Sequence, residues 1–413
     1  MLEKNYLMPG AALTMLLDHL RNRTLAVETV PLHDAFGRIL AVDIIAQEDL
    51  PGFARSIVDG YAVRAVDTFG AREQMPAYLT LAPEILMGTT PSFVLGKGEA
   101  APIPTGGMLP EGADAVVMIE DSQVVSNTIV EIMHAAAPAE NVIQRDEDIR
   151  IGECVLEKGQ RLRPQDVGAL AGLGIPSVEV FRRPIVAIVS TGDEIVPLGE
   201  PLTMGKVRDI NSFTLRGLIQ QQGSVALWKG IIRDDFESIR AVVAEALAES
   251  DMVLIVGGTS AGVRDMSAAV INAFDGPGVL FHGVAVKPGK PLIGGIIGSR
   301  PILGLPGHPA AAAICFANFI RPALDMLSGE HEKRTFPRTV PARMAKAVAS
   351  VAGREDHIRV RLDEGQSGLI AVPVLGKSGL ITTLVRAHGT VAIAGPKLGL
   401  DAGEQVDVRL FEP

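Results

Sequence analysis

MVLIVGGTSAGVRD, residues 252–265, is the stretch on which the fold turns. Its apolar opening is too short for a helix. It also lacks the polar alternation of a strand with one wet face. An uninterrupted Val/Ile/Leu run that ends in Gly257-Gly258 predicts a strand covered on both faces, entering a glycine-rich turn and then a helix. The same grammar repeats on either side. Strands are predicted at 185–190, 225–232, 252–256, 280–286, 291–297 and 301–305, with helices at 212–222, 236–250, 266–274 and 309–327. Strands alternating with helices of this length specify βαβ units in a doubly wound sheet.

In such a sheet ligands bind beyond the carboxyl ends of the strands. The chain places its unusual loops there. They are Thr191-Gly192-Asp193-Glu194, Arg233-Asp234-Asp235, Gly257 to Gly262 with Asp265, Lys287-Pro288-Gly289-Lys290-Pro291, and Pro306-Gly307-His308-Pro309. Gly257, Gly258 and Gly262 let backbone N–H groups approach an anion at a helix N-terminus, with Ser260 as a further donor. The loop lacks the Gly-Lys-Ser/Thr ending of a P-loop, which excludes that class of ATPase. Lys287 and Lys290 lie on a proline-braced turn suited to one anion. Asp193, Glu194, Asp234 and Asp265 form an acidic set of the kind that holds Mg²⁺ or the N–H groups of a heterocycle. Either Asp234 or Asp235 could serve, and Asp193 and Asp265 could instead be caps.

Outside residues 183–328 the pattern changes. Residues 9–23 read as an amphipathic helix with Ala12, Met15, Leu16 and Leu20 on one side, and 32–38 as a shorter helical segment. Short β-type runs at 78–81, 115–119 and 128–132 indicate a β-rich insert. The expected layout is therefore discontinuous at first. Residues 1–50 and 141–182 form an N-terminal α+β domain into which a β-rich domain, 51–140, is inserted. The α/β domain spans 183–328, and a small β-domain, barrel or sandwich, spans 336–413 after a charged linker at 327–335.

Composition narrows the function. With 47% hydrophobic residues the chain can bury several cores, and 413 residues suit two to four domains. A net charge of −10 without a Lys/Arg cluster argues against nucleic acid. The longest uncharged run, 301–320, is broken by Pro306, His308 and Pro309, which argues against a membrane span. Cys154 and Cys315 have no partners at metal spacing, so neither a disulfide framework nor a zinc site is expected. A cytoplasmic location fits.

Several segments together resemble the MoeA-type molybdopterin molybdenumtransferases, the family that includes the E domain of gephyrin. They are Pro51-Gly52-Phe53, Ser56-x-x-Asp59-Gly60-Tyr61-Ala62, Thr105-Gly106 with Gly112-Ala113-Asp114, and Glu147-Asp148-Ile149. Further on come Ser190 to Glu194, Gly257-Gly258-x-Ser260-x-Gly262, Lys287 to Pro291, Gly304-Leu305-Pro306-Gly307-x-Pro309, and Ser378-Gly379. The resemblance spans nearly the whole chain in order. It implies a C-terminal β-barrel and an elongated homodimer with a cleft shared between subunits. The implied substrates are adenylylated molybdopterin and molybdate, with Mg²⁺, giving molybdenum cofactor and AMP. Implied partners are a molybdopterin adenylyltransferase and apo-molybdoenzymes.

Carried over by motif, Asp59 and Thr105 face the cleft from the partner subunit and Asp148 belongs to an acidic segment. Glu194, Asp234 and Asp265 are the central carboxylates, with Glu194 and Asp265 as metal ligands. Lys287 and Lys290 hold the anion, Pro306 and Pro309 shape its pocket, and Arg359 and Ser378 reach in from the barrel. Thr191, Gly192, Asp193 and His308 complete the binding loops. The chain departs from the family pattern at Asp146 (usually Gly), Thr259 (commonly Val), Gly283 (Lys in some relatives), His308 (often Asn) and His388 (Asp or Asn). These departures leave a tungstate-handling branch as an alternative. A molybdopterin adenylyltransferase and a non-catalytic scaffold are two others, the first disfavoured by the long flanking regions.

Overall fold

In the computed structural model, which describes residues 6–257, 261–330, 338–366 and 368–411, the central strands form one six-stranded sheet. Its spatial order is Val225–Ile232, Ile185–Thr191, Met252–Gly257, Arg300–Pro306, Ile293–Ile297, Gly278–His282. The first four run parallel. Ile293–Ile297 is antiparallel to both of its neighbours, so Gly278–His282 runs parallel to the rest and its loop emerges at the same edge.

Both faces of the sheet are covered, as the unbroken apolar strands require. On one face the helices Pro9–Asp18, Asn211–Gln221 and Pro309–Leu327 enclose Val186, Ile188, Leu254 and Leu303. On the other, Phe236–Glu249 and Ala261–Asn272 cover Ala187, Val189, Val253 and Ile255. Pro309–Leu327 has the length and hydropathy of a membrane span, but most of it is buried inside the molecule. Phe319 at its centre is fully buried and leans on Phe281.

The C-terminal strands close into a five-stranded barrel. The order is Glu355–Gly365, Gly368–Pro373, Thr339–Met344, Gln405–Leu410, Gly389–Ile393 and back to the first. Closure leaves no open edge among these strands, and Met344, Val360, Ala371, Val391 and Val408 fill the interior. The N-terminal β-rich module is a second six-stranded sheet built on Gly60–Val63, Glu99–Ile103 and Ala115–Met118. Beside it, Val27–Pro31 pairs with Ser177–Phe181, and Ile44–Ile45 with Cys154–Leu156.

Three local expectations change. The helix read over 9–23 ends at Asp18, and it packs on the central sheet through Ala12, Leu16 and Leu20. Burying each leucine there is worth about 1.5–3 kcal/mol. The helical segment at 32–38 is one 3₁₀ turn, Leu32–Asp34. The strand read over 280–286 ends at His282, where Gly283 takes φ 92°. Val286–Lys287 then joins the barrel, pairing with Glu355 and Asp356. The linker at 327–335 lies partly outside the described residues.

Candidate active site

Lys287 is where two domains meet. Its strand adds to the barrel while its loop leaves the carboxyl edge of the central sheet. The cleft between them has a volume of about 670 Å³ and is lined by Lys287, Lys290, Arg354, Arg359 and Lys377, with one carboxylate, Asp356. Asp356 is buried and already engaged. Arg354 donates to it at 2.7 and 3.2 Å, and Lys287 Nζ stands 3.9 Å away with most of its side chain exposed. The remaining positive charge faces the cleft uncompensated, which suits an anion. Arg359 is buried, gives Nη2 to Gly376 O at 2.9 Å and leaves Nε without a partner. Burial lowers its pKa, as expected for a cation short of a counter-ion.

Lys290 is held from the other side. Its ammonium lies 4.3 Å from the centroid of the Tyr6 ring, a cation–π contact. That ring occupies the space a side chain at Gly283 would need, since a Cβ there would fall 2.5 Å from it. The departure at position 283 is thus explained by Tyr6. Asp146, at φ 62°, adopts a conformation that favours glycine, which explains why glycine is usual there. His388 plays a backbone role, accepting from Leu362 N–H at 3.1 Å.

A second cleft, about 360 Å³, adjoins the first and is lined by Glu194, Asp209, Asn211, Gly257, Gly307, His308 and Pro309 among others. Asp209 and Asn211 were not singled out in the sequence. Asp209 accepts from Ser190 Oγ at 2.6 Å and from Ser212 N–H at 3.0 Å, capping the helix that begins at Asn211. Asn211 donates to Gly307 O at 2.8 Å and so fixes the loop before Pro309. An Asp-x-Asn-Ser run ahead of a helix is the signal that could have found both. Arg354 and Asp356 left no such signal, because their role depends on a pairing between strands of different domains.

A third cleft, about 690 Å³, holds Gly192, Asp193, Lys206, Arg233, Asp234 and Asp235. The two adjacent aspartates, which both line this cleft, differ in their local contacts. Asp235 is the N-cap of Phe236–Glu249, accepting from Ser238 N–H at 2.9 Å. Asp234 turns inward, and its Oδ1 is buried without a partner. Burial raises its pKa, and the nearby charges of Glu194 and Asp193 raise it further. Beneath it Thr191 is fully buried, and its hydroxyl fills the space beside Gly257, where a Cβ would come within 1.8 Å of it. Thr191 therefore lies beneath the loop rather than on the cleft wall.

The structure thus gathers Lys287, Lys290, Pro306, His308, Arg359 and Ser378 in one cleft. Glu194, Gly257 and Pro309 line the adjoining one, and Gly192, Asp193 and Asp234 the third. Gly258, Thr259 and Ser260 lie outside the described residues. Gly262 and Asp265 fall on the helix Ala261–Asn272, and the side chain of Asp265 is outside the description. Asp59, Thr105 and Asp148 line none of these clefts. Asp59 is instead paired locally, accepting from Thr105 N–H at 2.7 Å and Oγ1 at 2.9 Å, which holds its carboxyl below the usual range. Asp148 is exposed, with its backbone N–H bound to Leu50 O.

Comparison with known proteins finds three matched regions along the chain. Residues 9–174 match the MoeA N-terminal region (domain I and II), 187–326 the "Probable molybdopterin binding domain", and 341–411 the MoeA C-terminal region (domain IV). A molybdopterin molybdenumtransferase of Staphylococcus aureus is 33% identical over 386 residues, 93% of this chain and 91% of that protein. Two crystal structures of molybdopterin biosynthesis MoeA proteins from Pyrococcus horikoshii superpose with TM-scores of 0.81 and 0.85. They are 39% and 33% identical, and cover 99% and 98% of this chain and 100% of theirs. With all three regions matched in order along the chain, this protein belongs to the MoeA family.

Proposed function

We propose that the protein is a molybdopterin molybdenumtransferase that inserts molybdate into adenylylated molybdopterin, with release of AMP, to give molybdenum cofactor. The observation that carries this reading is a pair of adjoining clefts of opposite charge at the carboxyl edge of the central sheet. Lys287, Lys290 and Arg359 offset oxyanion and phosphate charge, while Glu194 and the Gly257 loop, with Asp234 in the third cleft, receive the pterin nucleotide. Little covalent work falls to side chains. Positioning and charge neutralisation supply the acceleration.

Mg²⁺ fits the acidic side in one respect. Asp234 Oδ1 is buried without a partner beside two like charges, a cost that a cation would relieve. Among the described residues no three His, Cys, Asp or Glu side chains stand at coordination spacing. Mg²⁺ is commonly held by one or two carboxylates with phosphate oxygens and water. Asp234 and its neighbour Glu194 would hold it, with Asp265, the other carboxylate that the family motif implies, and phosphate oxygens of the substrate completing the shell. A homodimer would bring Asp59, Thr105 and Asp148 of one subunit to the clefts of its partner. The preset Asp59–Thr105 pair, exposed and lining none of the three clefts of its own chain, supports that arrangement. The cytosol, where adenylylated molybdopterin would meet both enzyme and apo-molybdoenzymes, is the proposed location.

The test is assembly in vitro from adenylylated molybdopterin, Mg²⁺ and either molybdate or tungstate, read as AMP release and reconstitution of an apo-molybdoenzyme. Coupled AMP release and active cofactor, lost in Glu194→Ala, supports the proposal and names the oxyanion. Tight pterin binding without turnover by either oxyanion would make the chain a scaffold. Formation of adenylylated molybdopterin from ATP would make it an adenylyltransferase. A monomeric mass by light scattering at micromolar concentration would remove the shared cleft.

A further inference from the structure

His308 lines both the cationic cleft and the acidic one. It is the N-cap of the helix Pro309–Cys315, which ties it to the central domain. The barrel holds it from the other side. Ser378 Oγ lies 2.8 Å from His308 Nδ1, Ala310 N–H donates to Ser378 O at 3.1 Å, and Gly379 lies close against the ring. Nδ1 is therefore occupied, and among the described residues Nε2 has no hydrogen-bond partner.

Of the chemistry proposed for this site, oxyanion insertion consumes protons at the metal. The phosphoanhydride hydrolysis that frees AMP takes up water and releases protons to solvent, so what insertion needs is local proton delivery. Molybdate and the dithiol of molybdopterin combine as MoO₄²⁻ + R(SH)₂ + 2 H⁺ → (RS₂)MoO₂ + 2 H₂O. Two Mo–O bonds break, two Mo–S bonds form, and molybdenum keeps its oxidation state. Each departing oxo group leaves as water. The dithiol supplies two protons and two more must be delivered. Lysine and arginine hold their protons too tightly near neutral pH, and ionised carboxylates have none to give. Of the two histidines at the cleft, His357 is buried, with Nε2 2.7 Å from Glu355 and 2.9 Å from Asn318. His308 is exposed at the junction.

We propose that His308 is the general acid that protonates a departing oxo group of molybdate. The assignment rests on the transferase reading above. In the imidazolium form Nδ1–H donates to Ser378 Oγ and Nε2–H points to the oxyanion. After transfer the ring keeps Nδ1–H on Ser378, and Nε2 is recharged from water. The charged groups around it are Lys287, Lys290, Arg354, Arg359, Lys377 and Asp356 on one side, and Arg208, Asp209 and Glu194 on the other.

The experiment measures kcat and KM for molybdate across roughly pH 5 to 9 in the wild type and His308→Asn, with melting temperature as the check on folding. The expected result is a kcat lowered about 100-fold, a smaller change in KM, and loss of the decline in rate at high pH. His308→Ala should regain activity with added imidazole. In a separate measurement without turnover, molybdate alone should shift the imidazole NMR signal that His308→Asn removes. A folded His308→Asn that keeps wild-type kcat and pH profile overturns the proposal, as does an unmoved imidazole signal. A wild type that assembles no cofactor removes the transferase reading first and the general acid with it.

Discussion

Asp234 and Asp235 are neighbours in sequence with opposite duties. Asp235 caps a helix, so Asp235→Ala should cost about 1 kcal/mol and leave cofactor assembly largely intact. Asp234 carries a raised pKa from burial and from Glu194 and Asp193. For a carboxyl raised in the folded state, the stability contribution is complete at low pH and is lost as pH rises through the folded value. At neutral pH its ionised form is therefore a burden. Asp234→Asn should melt no lower than wild type at pH 7 while losing activity. Thermal melts beside AMP-release assays check the pair, and a stability loss in Asp234→Asn equal to that of Asp235→Ala would contradict it. The pattern of carboxylates was legible in the sequence. Their division of labour was not, because two adjacent residues differ only in which way the backbone turns them.

Pro309–Leu327 carries the largest share of one central core. It runs as α-helix, a π-helical turn at Phe316–Ile320 and α-helix again, with Pro322 inside the last segment. Phe319 lies in the π turn, fully buried among Leu16, Phe281 and Leu324. Phe319→Ala should cost about 3–5 kcal/mol, seen as a shift in the urea midpoint, with a loss under 1 kcal/mol contradicting its central role. The apolar run and its proline start predict this helix. The strand before the lysine loop was harder. Residues 280–286 are apolar apart from His282 and Gly283, and it is at that pair that the run splits between two sheets.

Across the whole molecule, two polar clusters join the N-terminal region to the central domain. Asp251 receives Arg182 at 2.6 and 2.7 Å, Arg23 at 2.9 Å and the N–H of Ile185. Burial works against its charge, yet these donors hold its carboxyl below the usual range. At the second cluster Arg161 bridges Glu330, Gly37 O and Gln222 O, while Gln222 donates to Asp325. Burial, with the charge of Glu330, pushes Asp325 up from 3.8 to about 6. Its protonated form stabilises fully below the unfolded value, and that contribution fades as pH rises through about 6. Asp325→Asn should accordingly be more stable than wild type at pH 7, by up to about 3 kcal/mol, with the gain vanishing near pH 4. Chemical denaturation at the two pH values checks this, and equal differences at both would refute it.

Sequence alone determined the doubly wound sheet, because strands buried on both faces leave uninterrupted apolar runs and glycine- and proline-rich loops mark their carboxyl ends. It also placed Lys287, Lys290, Glu194 and His308 on those loops. Tertiary structure alone decided that the lysine strand belongs to the barrel as well as to the central domain. Only there do Arg354, Arg359 and Ser378 reach one cationic cleft, and only there does Tyr6 come to rest beneath Lys290. These contacts join residues tens to hundreds of positions apart, held by strand pairing and charge rather than by any local pattern, and so leave no periodicity in the chain.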